Sequence, residues 1–253
     1  MAGVTVLMEW GERGAAAICP AADYAVIVDI LSFTTALSVA IDAGAEVFPY
    51  PWRDESASEF ARRHDAVLAV GRSKASGPGV VSLSPASISS APGVSRIVLP
   101  SPNGSALASQ LAACGPVVLG ACLRNRMATA RWVADRVRAS QRPPVIAVVA
   151  AGERWPDDSL RPAVEDLWGA GAVISALEGL GLTGLSPEAR SAAAAFTAVA
   201  ASLAAELAES TSGRELADIG FGHDVAIAAD LDASASVPVL ADGRFVDAGR
   251  ILV

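Results

Sequence analysis

Two stretches of this chain share one layout. VIVDILSFTTALSVAIDAGAEVFPY (Val26–Tyr50) and VLPSPNGSALASQLAACGPVVLGA (Val98–Ala121) each run from an apolar strand through a polar turn into an alanine-rich helix, a glycine and a second strand. Thr35-Ala36-Leu37 falls on Ser105-Ala106-Leu107, and Gly44 falls near Gly115. Helix and strand alternate along most of the chain, and strands that read as continuous apolar runs are buried on both faces. The expected class is therefore α/β, with layered mixed sheets and flanking helices. The periodicity predicts strands at 3–8, 24–29, 45–49, 66–70, 95–99, 116–120, 144–150, 225–229, 237–240 and 244–247. It predicts helices at 33–43, 53–63, 104–113, 125–139, 162–179, 187–208 and 211–218, and a Ser/Gly/Pro-rich surface loop at 73–92. One domain over residues 1–253 is expected; the recurrence suits pseudo-repeat halves of about 1–92 and 93–253 as well as two similar β-turn-α-β stretches.

What the chain lacks narrows its chemistry. Apolar residues make up 52% and charged residues 18%, enough for a large core and against disorder. The uncharged run Ser191–Ala205 is mostly alanine and shorter than a bilayer span, so it reads as a core helix. The start, MAGVTVLMEWGERG, carries Glu9 and Glu12 where a secretory signal would be cationic, and a cytoplasmic location is expected. A net charge of −8 offers no field for nucleic acid or anionic membrane, although a small anion held by a few local groups remains compatible, as does a homodimer. Cys19, Cys114 and Cys122 are odd in number and form no CxxC, and all three read as small core residues. Of the two histidines, His64 reads as a solvated side chain on a charged helix and His223 as a turn or capping residue. Without a G-x-S-x-G elbow, an HExxH or a P-loop, serine hydrolases, zinc peptidases and P-loop enzymes fall away. Carboxylates, arginines, hydroxyls and backbone amides are left, a set that suits a hard cation such as Mg²⁺ and an anionic substrate.

Ligands of open α/β sheets bind beyond the carboxyl ends of strands, where helix N-termini offer unpaired N–H groups. At the first turn, Asp29 could hold a cation while Ser32, Thr34, Thr35 and nearby amides hold an anion; the alternative is a turn acid followed by N-caps. The second turn, Ser101–Ser105, contains Asn103-Gly104, a pair that tolerates positive φ and could curl amides into an anion nest. Glu165 and Asp166 head an apolar helix, either as metal ligands or as acids favoured by the helix dipole. Glu153, Arg154, Arg124 and Asn125 reach the same rim of strand ends.

Taken in order, VDILSFTTAL, PNGS, LRN, AAGE, VEDLWGAG and the tail STSGRELADIGFGHDVAIAADLDASASVPVLADGRFV resemble the 2-phosphosulfolactate phosphatase (ComB-like) family over nearly the whole chain. The resemblance implies a ComB-like fold and a Mg²⁺-dependent phosphatase acting on the phosphate ester of a small 2-hydroxy acid. It also implies catalytic and metal-binding roles for Asp29, Glu165 and Asp166. By position it gives substrate contacts to Thr34, Thr35, Arg72, Asn103, Gly104, Ser105 and Asn125; Ser32 of the first turn and Arg124 of the rim join them on the reading of the strand ends above. Three positions depart from the family's usual pattern. Leu-Arg-Ala-Thr-Thr reads Leu31-Ser32-Phe33-Thr34-Thr35, Gly-Glu-Arg reads Val70-Gly71-Arg72, and Asn-Ser-Pro reads Leu83-Ser84-Pro85. These departures leave a second expectation, an inactive relative that binds a small anion. A nucleotide enzyme of ordinary doubly wound type would carry a G-x-G-x-x-G after the first strand, and none stands there.

Overall fold

The computed structural model of the chain describes residues 3–52, 55–72 and 80–250. Nine of its strands join in one mixed sheet, in the order β1 (Thr5–Trp10), β7 (Val145–Ala150), β2 (Tyr24–Val28), β6 (Val117–Ala121), β10 (Pro238–Ala241), β11 (Arg244–Asp247), β3 (Glu46–Tyr50), β5 (Arg96–Pro100), β4 (Val67–Leu68). The first four strands run parallel to one another, as do the last three. The antiparallel hairpin β10–β11 joins these blocks, pairing Val239 with Leu119 on one side and Phe245 with Val47 on the other. A separate short hairpin, β8 (Glu153–Arg154) with β9 (Leu160–Arg161), follows β7.

Side chains alternate across β2, β6 and β7, so the first block feeds two cores. Val26, Val28, Leu119, Ala121, Val148 and Ala150 pack in one core with α6 (Arg126–Ala139), α7 (Val164–Gly179) and α8 (Pro187–Val199). Ala25, Ile27, Val118 and Val149 pack in the other with α2 (Phe33–Asp42), α5 (Gly104–Cys114) and Val47, Ile97 and Leu99 of the second block. Helices α2 and α5 thus lie between the two parallel blocks, which brings their N-termini to one place. Helix α7 is apolar on nearly every side because it is buried on nearly every side. It crosses α8 so closely that a Cβ on Gly171 would stand 2.0 Å from the Ala192 carbonyl oxygen.

Several expectations are corrected. A helix not foreseen, α1 (Gly11–Ile18), follows β1 directly, and Gly11 turns the chain into it at φ +55°. The stretch expected as a strand at 225–229 lies in α11 (Gly222–Ala229), because a short apolar run such as VAIAA carries no decisive period. The helix expected over 187–208 is two, α8 and α9 (Leu203–Glu209), bent by 103° at the break; no single described helix is long and apolar enough to cross a membrane. Of the loop expected at 73–92, residues 73–79 lie outside the described residues. Its second half contains α4 (Pro85–Ser89), started by Ser84, whose side chain accepts from the Ser87 N–H, and by Pro85 in the first turn. Helices α3 (Glu55–Arg63) and α10 (Thr211–Asp218) fall where expected. Cys19 and Cys122 are buried, but Cys114 is exposed at the end of α5. Burial and the neighbouring Cys114 push the Cys19 thiol up to about 12, which makes it unreactive.

Candidate active site

The carboxyl ends of β2, β5 and β7 meet the N-termini of α2, α5 and α7, and four carboxylates collect there. Asp29 follows β2, is buried, and accepts the Phe33 N–H of α2 at 3.0 Å; the Gly104 N–H that opens α5 donates to Ser101 Oγ at 3.1 Å and lies near enough to favour the Asp29 charge. Asp166, buried at the head of α7, accepts the Ile30 N–H at 2.7 Å and the Gly152 N–H at 2.8 Å, fastening the ends of β2 and β7 together. Glu165 beside it is equally buried. Glu153, at the start of the β8–β9 hairpin, accepts from the Asn103 amide at 3.1 Å.

Charges so crowded repel one another. Burial first, and then the Glu153 charge, push the Asp29 carboxyl up to about 7 against the pull of the Phe33 and Gly104 amides. Burial, Asp29 and Glu165 hold Asp166 well above the ordinary carboxylate range. Burial and the charges of Glu165 and Glu215 raise Glu153, opposed by Asn103 and Arg161.

Asp29 and Glu153 face a cleft of about 300 Å³ that is also lined by Ser32, Arg72, Ser101, Asn103, Ser212 and Glu215. Arg72 is the one cationic side chain among the described residues lining it. Its Nε donates to Asp224 Oδ2 at 3.0 Å, its Nη2 donates to the Ser32 hydroxyl, and its guanidinium sits 5.5 Å from the Phe221 ring centre. A second hollow of about 380 Å³ lies across the Asn103–Glu153 contact, with Trp10, Leu107 and Leu160 on its walls. Arg154 faces that hollow, paired with Glu12 at 2.5 Å and donating to Asn103 Oδ1 at 3.2 Å.

A family model described as 2-phosphosulpholactate phosphatase matches residues 15–243 of this chain. The chain belongs to the 2-phosphosulfolactate phosphatase family. A probable 2-phosphosulfolactate phosphatase of Thermus thermophilus is 33% identical over 221 residues, covering 86% of this chain and 88% of that protein. Family membership makes the chain a phosphatase of the phosphoric-monoester hydrolase type.

Within this phosphatase, several polar residues expected in substrate contact are placed elsewhere. Thr34 Oγ1 donates to the Asp29 carbonyl at 2.7 Å and accepts the Asp29 N–H, Thr35 Oγ1 donates to the Ile30 carbonyl at 2.8 Å, and Ser105 Oγ donates to the Leu99 carbonyl at 2.8 Å. These hydroxyls tie each helix back to the strand before it. Arg124 pairs with Asp42 at 3.3 Å and Asp230 at 3.6 Å, away from the cleft. Asn125 is fully buried, accepting the Cys122 N–H and donating to the Gly120 and Ser236 carbonyls. Asn103-Gly104 forms no positive-φ nest, since Asn103 has φ −100°. Gly104 is needed for a different reason: a Cβ there would stand 2.2 Å from the Phe33 ring.

The departures from the family pattern also acquire places. Ser32 accepts from Arg72, Leu83 lines the cleft, and Gly71 has open space where a side chain would stand. Sequence reasoning missed Asp224, Ser212 and Glu215. Their segment, STSGRELADIGFGHDV, marks them only as part of the family-like tail, because the partners of Asp224 and Glu215 lie 152 and 54 residues away.

Proposed function

We propose that this phosphatase cleaves the phosphate ester of a small 2-hydroxy acid, as a 2-phosphosulfolactate-like substrate would present it, in the cleft between Asp29 and Arg72. The observation that carries the reading is the convergence of Asp29, Glu153 and Arg72 on one cleft, with Glu165 and Asp166 directly behind. Arg72 would grip an anionic end of the substrate, and the cleft's size suits a molecule of a few carbons. Glu153, held by Asn103, is placed to exchange a proton with the leaving alcohol oxygen.

Mg²⁺ is the proposed cofactor. Among the described residues no three His, Cys, Asp or Glu side chains form a ready metal cage. Mg²⁺ does not need one, since it is held through one or two carboxylates, substrate phosphate and several waters. Asp29 and Glu165 are the proposed ligands, with Asp166 behind them still engaged with its two amides. Their oxygen-only, mutually repelling chemistry fits a hard divalent ion. When bound, it would supply Lewis-acid polarisation of the phosphoryl group and offset the crowded charge.

The test is phosphate release from a panel of phosphorylated 2-hydroxy acids, with Mg²⁺ or with EDTA. Release that requires Mg²⁺ supports the reading. An anion that raises the melting temperature without being consumed favours instead a silent anion-binding relative.

A further inference from the structure

Asp224, which the sequence marks only as part of the family-like tail, is among the most buried charges of the described residues. Its side chain is 0% exposed, it takes the Arg72 Nε at 3.0 Å, and its other oxygen accepts the Ser84 hydroxyl at 2.5 Å and the Ala86 N–H at 3.4 Å. A buried carboxylate with three such donors is a fixed point. Arg72 is fixed in turn by Asp224 at Nε, by Ser32 at Nη2 and by the Phe221 face beside it. A guanidinium carries five N–H donors. Those two hydrogen bonds engage one each, and the remaining three are on the Nη atoms of a side chain that lines the cleft.

We propose that Asp224 is the positioning residue that turns Arg72 into the anion-binding group of the cleft, by holding its Nε edge from behind and leaving its Nη atoms for the ligand. The inference rests on the phosphatase reading above but concerns the binding of the anion, which can be measured without turnover. Charge alone would not do this. An arginine held at one edge loses little freedom when a second anion meets the other, so pre-orientation strengthens binding.

The test is a double-mutant cycle with R72A and D224N, read by titration calorimetry with inorganic phosphate and by steady-state kinetics on the panel above. D224N should weaken phosphate binding about tenfold and raise KM by a similar factor, with kcat changed much less. In the R72A background D224N should change neither. If D224N weakens binding equally in both backgrounds, or lowers the melting temperature while leaving phosphate affinity intact, Asp224 only supports the fold and the proposal fails. Wild-type protein that binds phosphate but releases none from any ester overturns the hydrolase reading alone, and the cycle still decides this one. Wild-type protein that binds no phosphate overturns the role given to Arg72 and Asp224. Should D224N not fold, R72A supplemented with millimolar guanidinium replaces it. Restored phosphate binding supports a site that Asp224 holds ready, and no restoration refutes it.

Discussion

Gly104→Ala tests the packing that creates the site. The added Cβ would stand 2.2, 2.5 and 2.8 Å from Cδ1, Cγ and Cβ of Phe33, well inside van der Waals contact. Phe33 has little room to retreat, because it is 5% exposed and its ring packs edge-on against the fully buried Phe245 at 6.2 Å. Overpacking of this kind costs roughly 1–3 kcal/mol, and the helix propensity gained from alanine returns at most about 1 kcal/mol in a helix interior and less at the first turn. G104A should therefore lower the urea midpoint by roughly 0.5 M. F33L removes the clashing ring, so the G104A/F33L double variant should be more stable than the sum of the single losses predicts by at least about 1 kcal/mol. The start of α5 can relieve the clash only by moving away from α2, which carries the Gly104 amide away from the Asp29 charge it favours. Phosphatase activity should consequently fall even at temperatures where G104A remains folded, and return in part in the double variant. Additive losses within about 0.5 kcal/mol, or a G104A protein as stable as wild type, would refute the argument that Phe33 is the reason for glycine at this position.

Asp166→Ala leaves the Ile30 and Gly152 amides without their acceptor and should cost about 2–5 kcal/mol in urea unfolding, with D166N losing less because it keeps one acceptor. T35V and S105A should each lose about 1 kcal/mol of stability, again by urea, and leave KM unchanged, since both hydroxyls point back to strand carbonyls. In EDTA, stability should decline as pH rises from 5 to 8. The raised Asp29 carboxyl keeps a proton in the native state that the unfolded chain releases above about pH 4, so its contribution is complete below that pH and lost as pH passes about 7. That contribution is about 4 kcal/mol from Asp29, and D29N should flatten the slope whatever its fixed offset; an unchanged slope in D29N would contradict the assignment.

The strands were legible because β2, β6 and β7 are buried on both faces and read as unbroken apolar runs. Asp29 and the Glu165-Asp166 pair were legible because an acid at a strand end or at the head of an apolar helix stands out from its surroundings. What pattern alone leaves undecided is which way a hydroxyl points. Thr35 could have faced the cleft, and it bonds the Ile30 carbonyl five residues back instead. Asn103-Gly104 looked like a positive-φ turn because that is the commonest use of the pair, whereas its glycine makes room for the ring of Phe33, on a different helix. Asp224 was illegible for the same reason of distance: the arginine it holds is separated from it by 152 residues.

The two similar turns divide their labour in the same way. In each, a helix-start hydroxyl donates to a carbonyl at or just past the end of the preceding strand, Thr35 to Ile30 and Ser105 to Leu99, which locks the handover. The first amide of each helix then acts on the same group: the Phe33 N–H of α2 donates to the Asp29 carboxylate at 3.0 Å, and the Gly104 N–H of α5, held by Ser101 Oγ, favours that charge from close by. Two helix N-termini aimed at one carboxylate stabilise its charge, while burial and Glu153 oppose it, and the opposition prevails because Asp29 stays raised to about 7. A carboxylate balanced in this way changes state with modest input from a ligand. The recurrence seen in the sequence therefore has a physical purpose whatever its origin, since a single strand-to-helix turn could bring only one of these two helix N-termini to Asp29.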